Sequence, residues 1–478
     1  MKFLRAVFLS ALAVVLSAPV FAETQNVKVS GSLDAYWFYR SNFDLRDNND
    51  AGVLPLGATV PAGGGSSGSA TQRSEADDYF MSITQIEVSA DLTDNVSTVI
   101  NLINQRDWNA NDFTTGSSDS VTNTGPNEFD VILDLAYVQM KQIFYSPLTL
   151  TIGRQDLLFG RGFIIGWNPQ DPQGVIQADE FTQVQSFDAI RATLDFNPWT
   201  IDLVYSKIDE NNHNPEDDID LYIANINYKF ADYNAVAEGY YMGHLDRGTL
   251  HDSTGTNSTK DNDTHTLGGR VQFDPISQIT LGGELAYQFG NYRASVTAPA
   301  RDREAWATDI FGEYRFDNTW KPMVGLEYVY MSGEGNLGSG ATSSYGAWNG
   351  PFRGPTYGWI HEYLETYYAT GQTDDQSSGQ NLEFISVYGA LYPLTDLKLA
   401  ANYYHYWNPE DVHQVAGNQN SSTENKTVGD EIDLTVSYSY TEDVTFNFMA
   451  NWFIPGDFYR SPNDATATEL ISEVKVTF

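Results

Sequence analysis

Apolar residues return at every second position along most of this chain, and beyond its N-terminus no apolar stretch is long enough to cross a membrane as a helix. Val27, Val29, Leu33, Ala35, Trp37 and Tyr39 alternate with Lys28, Ser30, Ser32, Asp34 and, at the far end, Arg40. Ile432, Leu434, Val436, Tyr438 and Tyr440 alternate with Glu431, Asp433, Thr435, Ser437 and Ser439. At the C-terminus Leu470, Val474, Val476 and Phe478 share one parity. Successive side chains of a strand point to opposite faces, so this is the pattern of strands with one apolar face. A soluble sandwich and a membrane barrel share it.

Connection lengths separate the two. Short turn chemistry stands at Thr93-Asp94-Asn95, Tyr145-Ser146-Pro147, Asn197-Pro198, Ala231-Asp232, Asp274-Pro275, Asp317-Asn318-Thr319, Tyr392-Pro393 and Thr441-Glu442-Asp443. Longer polar stretches begin near residues 41, 109, 157, 210, 245, 292, 334, 408 and 454. Short and long connections alternate, which implies about eighteen strands with both termini on the short-turn side. Rings near strand ends (Trp108, Trp199, Tyr228, Phe230, Trp320, Tyr330, Trp407, Trp452) suit the interfacial girdle of a membrane barrel. The expected fold is all-β: one transmembrane antiparallel β-barrel over residues 23–478, with short periplasmic turns and long extracellular loops. The final strand, ending on Phe478, resembles the C-terminal signal of outer-membrane barrels, which implies the barrel assembly machinery as a partner.

Residues 1–22 read as a signal peptide: Lys2 and Arg5 precede an apolar run from Ala6 to Leu16 and a small-residue cleavage site at Val20-Phe21-Ala22. The expected location is the outer membrane of a Gram-negative-type bacterium. Cys is absent, which removes disulfides, thiolate metal centres and thiol nucleophiles. A formal net charge of -37 argues against nucleic acid as a partner, because phosphate binding needs basic patches. The seven His, at 213, 244, 251, 265, 361, 405 and 413, form no nucleophile or metal-ligand motif. No enzymatic activity and no cofactor are expected. The acidic clusters Asp44, Asp47 and Asp50, and Glu210, Glu216 and Asp217, offer oxygen ligands of the kind calcium takes, but lack the Gly and terminal Glu of a calcium loop.

A barrel of this size does not fill its interior with wall side chains, so it encloses a water-filled or plugged lumen. In "FDAIRATLDF" Ile190, Ala192, Leu194 and Phe196 face lipid, which sends Arg191, Thr193 and Asp195 inward. The same parity makes Arg40, Arg270, Glu284, Asp309, Glu313, Arg315, Glu327 and Asp433 candidates to line the pore, with both signs of charge. Residues 62–69, "AGGGSSGS", form a tether inside the first loop. "YGWIHEYLETYYAT", in the seventh loop, reads as a short helix that folds over the mouth or enters the lumen.

The run "LAYVQMKQIFYSPLTLTIGRQDLLFGRGFIIG" resembles the alginate-export family of outer-membrane proteins, in which a tyrosine-containing strand leads to a G-R-Q-[DE]-L motif. Here that motif is Gly153, Arg154, Gln155, Asp156 and Leu157, followed by Gly160 and Gly166. "FDAIRATL" and "VGDEIDLTVSYSYTEDVTFNFMANWFIPGDF" are similar to the family's next strand and its C-terminal strand pair. The resemblance implies an eighteen-stranded monomeric barrel that passes hydrophilic solute, in some members anionic exopolysaccharide, with Arg154 and Arg191 as lumen or mouth arginines. Arg154 shares the lipid parity of Leu150 and Ile152, so a pore-lining role for it requires a bulge or a place above the membrane. The acidic balance departs from a polyuronate conduit, which calls for a positive lumen. A cation-selective or neutral-sugar porin fits as well, with Arg293, Arg301, Arg303 and Arg315 as a local positive constriction. A plugged barrel acting as a surface receptor or adhesin is the alternative of another class.

Overall fold

The computed structural model describes residues 26–43, 45–46, 77–108, 131–145, 147–167, 176, 178–210, 218–247, 249–251, 257–259, 262–293, 299–335, 343–368, 380–411, 425–459, 461 and 463–478. The leader, the tether, Asp44, Asp47, Asp50, His213, Glu216, Asp217 and His413 lie outside them.

The first half of the wall is β1 (Asn26–Ser41), β2 (Asp77–Thr93), β3 (Val96–Asp107), β4 (Ile132–Met140), β5 (Leu148–Gln155), β6 (Phe187–Asp195), β7 (Trp199–Asp209), β8 (Ile219–Lys229) and β9 (Val236–Asp246). A hairpin of β10 (Thr249–His251) and β11 (Asn257–Thr259) stands outside the wall. The second half is β12 (Asn262–Ile276), β13 (Ile279–Tyr292), β14 (Arg301–Arg315), β15 (Met323–Met331), β16 (Leu382–Leu394), β17 (Leu397–Trp407), β18 (Thr427–Ser439), β19 (Val444–Pro455) and β20 (Ala467–Thr477). Each wall strand pairs antiparallel with the next, β9 pairs with β12, and β20 returns to β1, so 18 strands close without an edge. Closure satisfies every ladder group inside the bilayer, where no water is available to do so.

The alternation read from the sequence is the alternation of the wall. Ile190, Leu203, Leu267, Leu285, Ile310 and Leu326 are exposed on the outer surface, while Arg191, Arg270, Glu284, Asp309 and Glu327 turn inward. Phe80 and Trp108 stack at 5.1 Å, Trp199 meets Tyr228 at 4.5 Å, and Trp306 stacks on Tyr330 at 4.2 Å, as a girdle does. Six of the eight short turns lie where expected. The other two reverse slightly later: Asp274-Pro275 and Tyr392-Pro393 sit at bulges inside β12 and β16, and the chain turns at Ser277-Gln278 and Thr395-Asp396. Proline cannot donate to the ladder, so a bulge accommodates it as readily as a turn does.

Three large inward rings lie over glycines of a neighbouring strand. Phe311 lies over its register partner Gly282, Tyr240 over Gly268 and Tyr388 over Gly325; an added Cβ would fall 2.3, 2.4 and 2.2 Å from the respective ring or hydroxyl. The closing seam carries a similar constraint, because Gly31 and Phe478 exchange both backbone hydrogen bonds, at 2.9 and 3.0 Å. A Cβ at Gly31 would meet Gln85 O at 2.5 Å and the Phe478 ring at 2.7 Å. Gly31→Val is therefore expected to cost roughly 1–3 kcal/mol by overpacking and to lower the yield of closed barrel several-fold, read as the heat-modifiable band on a gel.

Candidate functional site

Two loops enter the loop end of the barrel and pack there as one body. The third, between β5 and β6, turns through Phe159-Gly160-Arg161-Gly162-Phe163, with Gly160 and Gly162 at φ of +58° and +80°. Left-handed backbone favours glycine, and two of them put Arg161 at the tip of a tight reversal. The seventh, between β15 and β16, carries the helix α1 (Trp359–Tyr368), so the helical reading of that segment holds and the helix lies inside the lumen. The loops share backbone hydrogen bonds: Gly166 N and Trp167 N donate to Phe352 O at 2.8 and 3.1 Å, and Gly354 N donates to Gly162 O at 2.9 Å. Phe181 stacks on Trp359 at 4.4 Å, joining them again.

The contact works because the inward wall is apolar at this height. Ala305, Ala307, Met331, Phe384, Tyr406 and Phe453 receive Phe163, Ile164, Trp348, Phe352, Ile360 and Leu364 in one buried cluster. Burial of this much apolar surface is the main force holding the loops inside.

Polar locks fix how they sit. Glu431, fully buried on β18, accepts hydrogen bonds from the Ile360 and His361 amides at 2.8 Å each. Those are unsatisfied donors at the start of α1, where the helix dipole favours negative charge. Arg353, also buried, reaches Glu362 at 2.8 Å and Glu365 at 3.5 Å and lies over the Tyr357 ring. The two carboxylates hold its guanidinium pKa above the usual range even though burial opposes the charge. Tyr406 OH donates to Tyr357 O at 2.9 Å. Arg161 donates to Asp309 at 3.0 Å and Glu327 at 2.7 Å, its guanidinium 4.0 Å from the Phe311 ring centroid.

His361 stacks on Tyr406 at 4.0 Å, and burial, helped by Arg353, pushes its pKa down to about 3. An undocked His361 in water titrates near its ordinary 6.5, so the docked state binds fewer protons. The His361 contribution to docking is therefore fully present above pH ~6.5 and falls by about 2 kcal/mol by pH 5, continuing down toward the docked value. Protection of the α1 amides in hydrogen exchange should fall accordingly between pH 7 and pH 5, and His361→Phe should flatten the dependence.

The predicted wall residues fall into three groups. Arg191 faces the lumen against Asp202 at 2.8 Å, and Arg270 against Glu238 at 3.2 Å. Arg40 faces it against Glu469 at 2.9 Å and the third-loop Glu180. Glu284 accepts from Tyr240 OH at 2.7 Å, Asp433 is buried opposite Asn451, and Glu313 meets Arg315 at 2.6 Å farther toward the turn end. Glu238, Arg270, Glu284 and Asp309 are successive register partners across four strands, a band of charge around the wall. Beside the plug, Phe159, Gly160, Glu238, Tyr240, Met242 and Glu284 line a narrow, mostly apolar gap with room for about one water molecule.

Arg154 is different. Thr151 and Gln155 point inward, and the alternation continues through Gly153 (φ +123°), so Arg154 stays on the outer face. There it donates to Leu133 O at 2.9 Å and meets Asp188 at 3.5 Å, within a register row Arg154, Asp188, Lys207, Asp220 of alternating sign. The bulge that a pore-lining Arg154 requires does not form. Gly153 is nevertheless fixed, because a Cβ there would fall 2.2 Å from Ala136 O. Gln155 ties the strand to Gly153 O and Ala189 O, while Asp156 follows the strand end. Arg301 and Arg303 form no constriction either. Arg301 pairs with Glu334 at 3.0 Å and donates to Ser343 O, and the buried Arg303 donates to Ala347 O, so both anchor the seventh loop.

No curated protein matches the chain. Among solved structures, OccAB2 of Acinetobacter baumannii is 11% identical, with a TM-score of 0.54 over 96% of this chain and 99% of that one. OccK2 (OpdF) of Pseudomonas aeruginosa is 11% identical at 0.53, over 95% and 99%. A BenF-like porin from Pseudomonas fluorescens Pf-5 is 12% identical at 0.51, over 95% and 100%. At such identities the likeness is one of fold. The family model for alginate export matches residues 66–473, and on that match the chain belongs to the alginate-export family of outer-membrane β-barrels.

Proposed function

We propose that this porin-like outer-membrane channel passes hydrophilic solutes with a preference for cations. The pairing pattern inside the wall carries the reading. Arg40, Arg161, Arg191 and Arg270 are each held by one or two carboxylates. Glu284, Glu431, Asp433 and Glu473 take part in no salt bridge among the described residues; Glu284 and Glu473 are served by the neutral donors Tyr240 and Asn447. Among these described lumen residues the carboxyls outnumber the arginines, an acidic balance that favours cations over a polyanion. Although the family's name refers to alginate, an acidic polymer, this lumen argues against such a cargo here. The chain has no catalytic role in this reading.

The packed loops favour a second reading, a closed barrel that serves as a surface receptor. The refolded barrel in a planar bilayer, under a tenfold gradient of dilute potassium chloride, separates the two. Cation preference is expected, with a reversal potential of cation sign approaching a ceiling of about 59 mV. Anion preference overturns the proposal and restores an acidic cargo, and silent membranes favour the receptor.

A further inference from the structure

Arg161 occupies a site that has the chemistry of a receptor for a free guanidinium ion. Asp309 and Glu327 point inward from β14 and β15, and Phe311 supplies an aromatic floor, held down over Gly282. Two carboxylates and a ring face are what a planar cation with several N–H donors prefers. The carboxyl of Asp309 is almost fully buried; its Oδ1 meets no donor among the described residues, while Oδ2 accepts from Arg161. Formal charge is also unbalanced: Glu238, Glu284, Asp309 and Glu327 are four carboxyls set against Arg161 and Arg270.

The occupant itself is not built in. Arg161 comes from the tip of a loop between two glycines, and a third of its side chain is exposed, whereas the Asp309 side chain is 5% exposed. A tethered guanidinium approaching from one side engages one oxygen of each carboxylate. An untethered one is free to turn and bring a second N–H to Asp309 Oδ1, the two-pronged arrangement that strengthens such pairs.

We infer that Asp309, Glu327 and Phe311 form a binding site for guanidinium-bearing solutes, in which Arg161 is an internal competitor that a passing solute displaces. The inference rests on the channel reading for its purpose, although binding itself needs no conduction. A tethered group competes with an effective concentration in the millimolar range, so removing it should strengthen solute binding by about tenfold or more.

Methylguanidinium chloride, titrated by calorimetry into the refolded barrel in detergent, tests the site, with tetramethylammonium as a cation that donates no hydrogen bond. Arg161→Ala should bind methylguanidinium with a midpoint about tenfold below that of the unaltered barrel, and tetramethylammonium should bind to neither. Adding Asp309→Asn to Arg161→Ala should abolish the gain, as should Glu327→Gln, which guards against one variant failing to fold; the heat-modifiable band reports folding for each. Equal midpoints with and without Arg161, or equal binding of the two cations, overturn the site. Conductance of the same samples in potassium chloride judges the channel reading separately, since a silent barrel that binds methylguanidinium keeps the site and loses the channel.

Discussion

Arg353→Met should release the seventh loop from the lumen, raising single-channel conductance several-fold and exposing the loop to chymotrypsin, which finds Tyr357, Trp359 and Tyr363 there. The substitution keeps an unbranched side chain against Tyr357 but strands Glu362 and Glu365, both little exposed beside the Arg353 guanidinium. Breaking a buried pair by removing one partner costs roughly 3–5 kcal/mol, because the remaining charge is left without compensation. A loss of that size shifts the loop toward the released state, against the apolar packing that also holds it. The strand-to-strand ladder should be unaffected; among the described residues only the loop end of β14, whose Asp302 O and Glu304 N bond Tyr345, touches the loop through its backbone. Unchanged conductance together with chymotrypsin resistance would show that apolar packing alone holds the plug.

The second large effect is expected from Gly166→Val. At this point the two loops touch backbone to backbone: a Cβ at Gly166 would lie 2.9 Å from Gly354 Cα and 3.2 Å from its nitrogen. Neither loop can yield without separating Gly166 N and Trp167 N from Phe352 O. Three backbone hydrogen bonds join the loops here, and each buried amide left without a partner costs about 1–3 kcal/mol. Cleavage by chymotrypsin should then appear in both loops. Cleavage confined to the third loop would mean that the seventh is held by Arg353 and Glu431 alone.

Strand number and wall polarity were legible because both are written in simple physical terms. Lipid outside and water inside force a period of two, and turn chemistry marks the reversals. The misplaced turns at Asp274-Pro275 and Tyr392-Pro393 follow from one property of proline, its missing N–H, which a bulge and a turn tolerate equally. Arg154 was misleading as a lumen residue because the resemblance and the parity pointed opposite ways, and the parity was right.

The plug was harder to read. Its locks are single residues from distant segments, such as Glu431 beneath Ile360, and spacing carries no trace of them. One signal was present: in "RDREAWATDIF" the inward positions include Ala305, Ala307 and Phe311, where a water-filled lumen calls for polar groups. Apolar residues on both faces of a strand mean that something dry sits inside. The arginines at 301 and 303 misled for the same reason, since they anchor the polypeptide that fills the mouth.

The meeting of Gly166 and Gly354 also bears on the rhythm of the open channel. Two loops that share a seam of backbone hydrogen bonds should leave the lumen together, so current records should show transitions of one amplitude with one pair of dwell times. Independent flaps would give two step sizes and intermediate plateaus. A single glycine contact thus sets whether the pore flickers as a two-state switch or fades in graded sublevels.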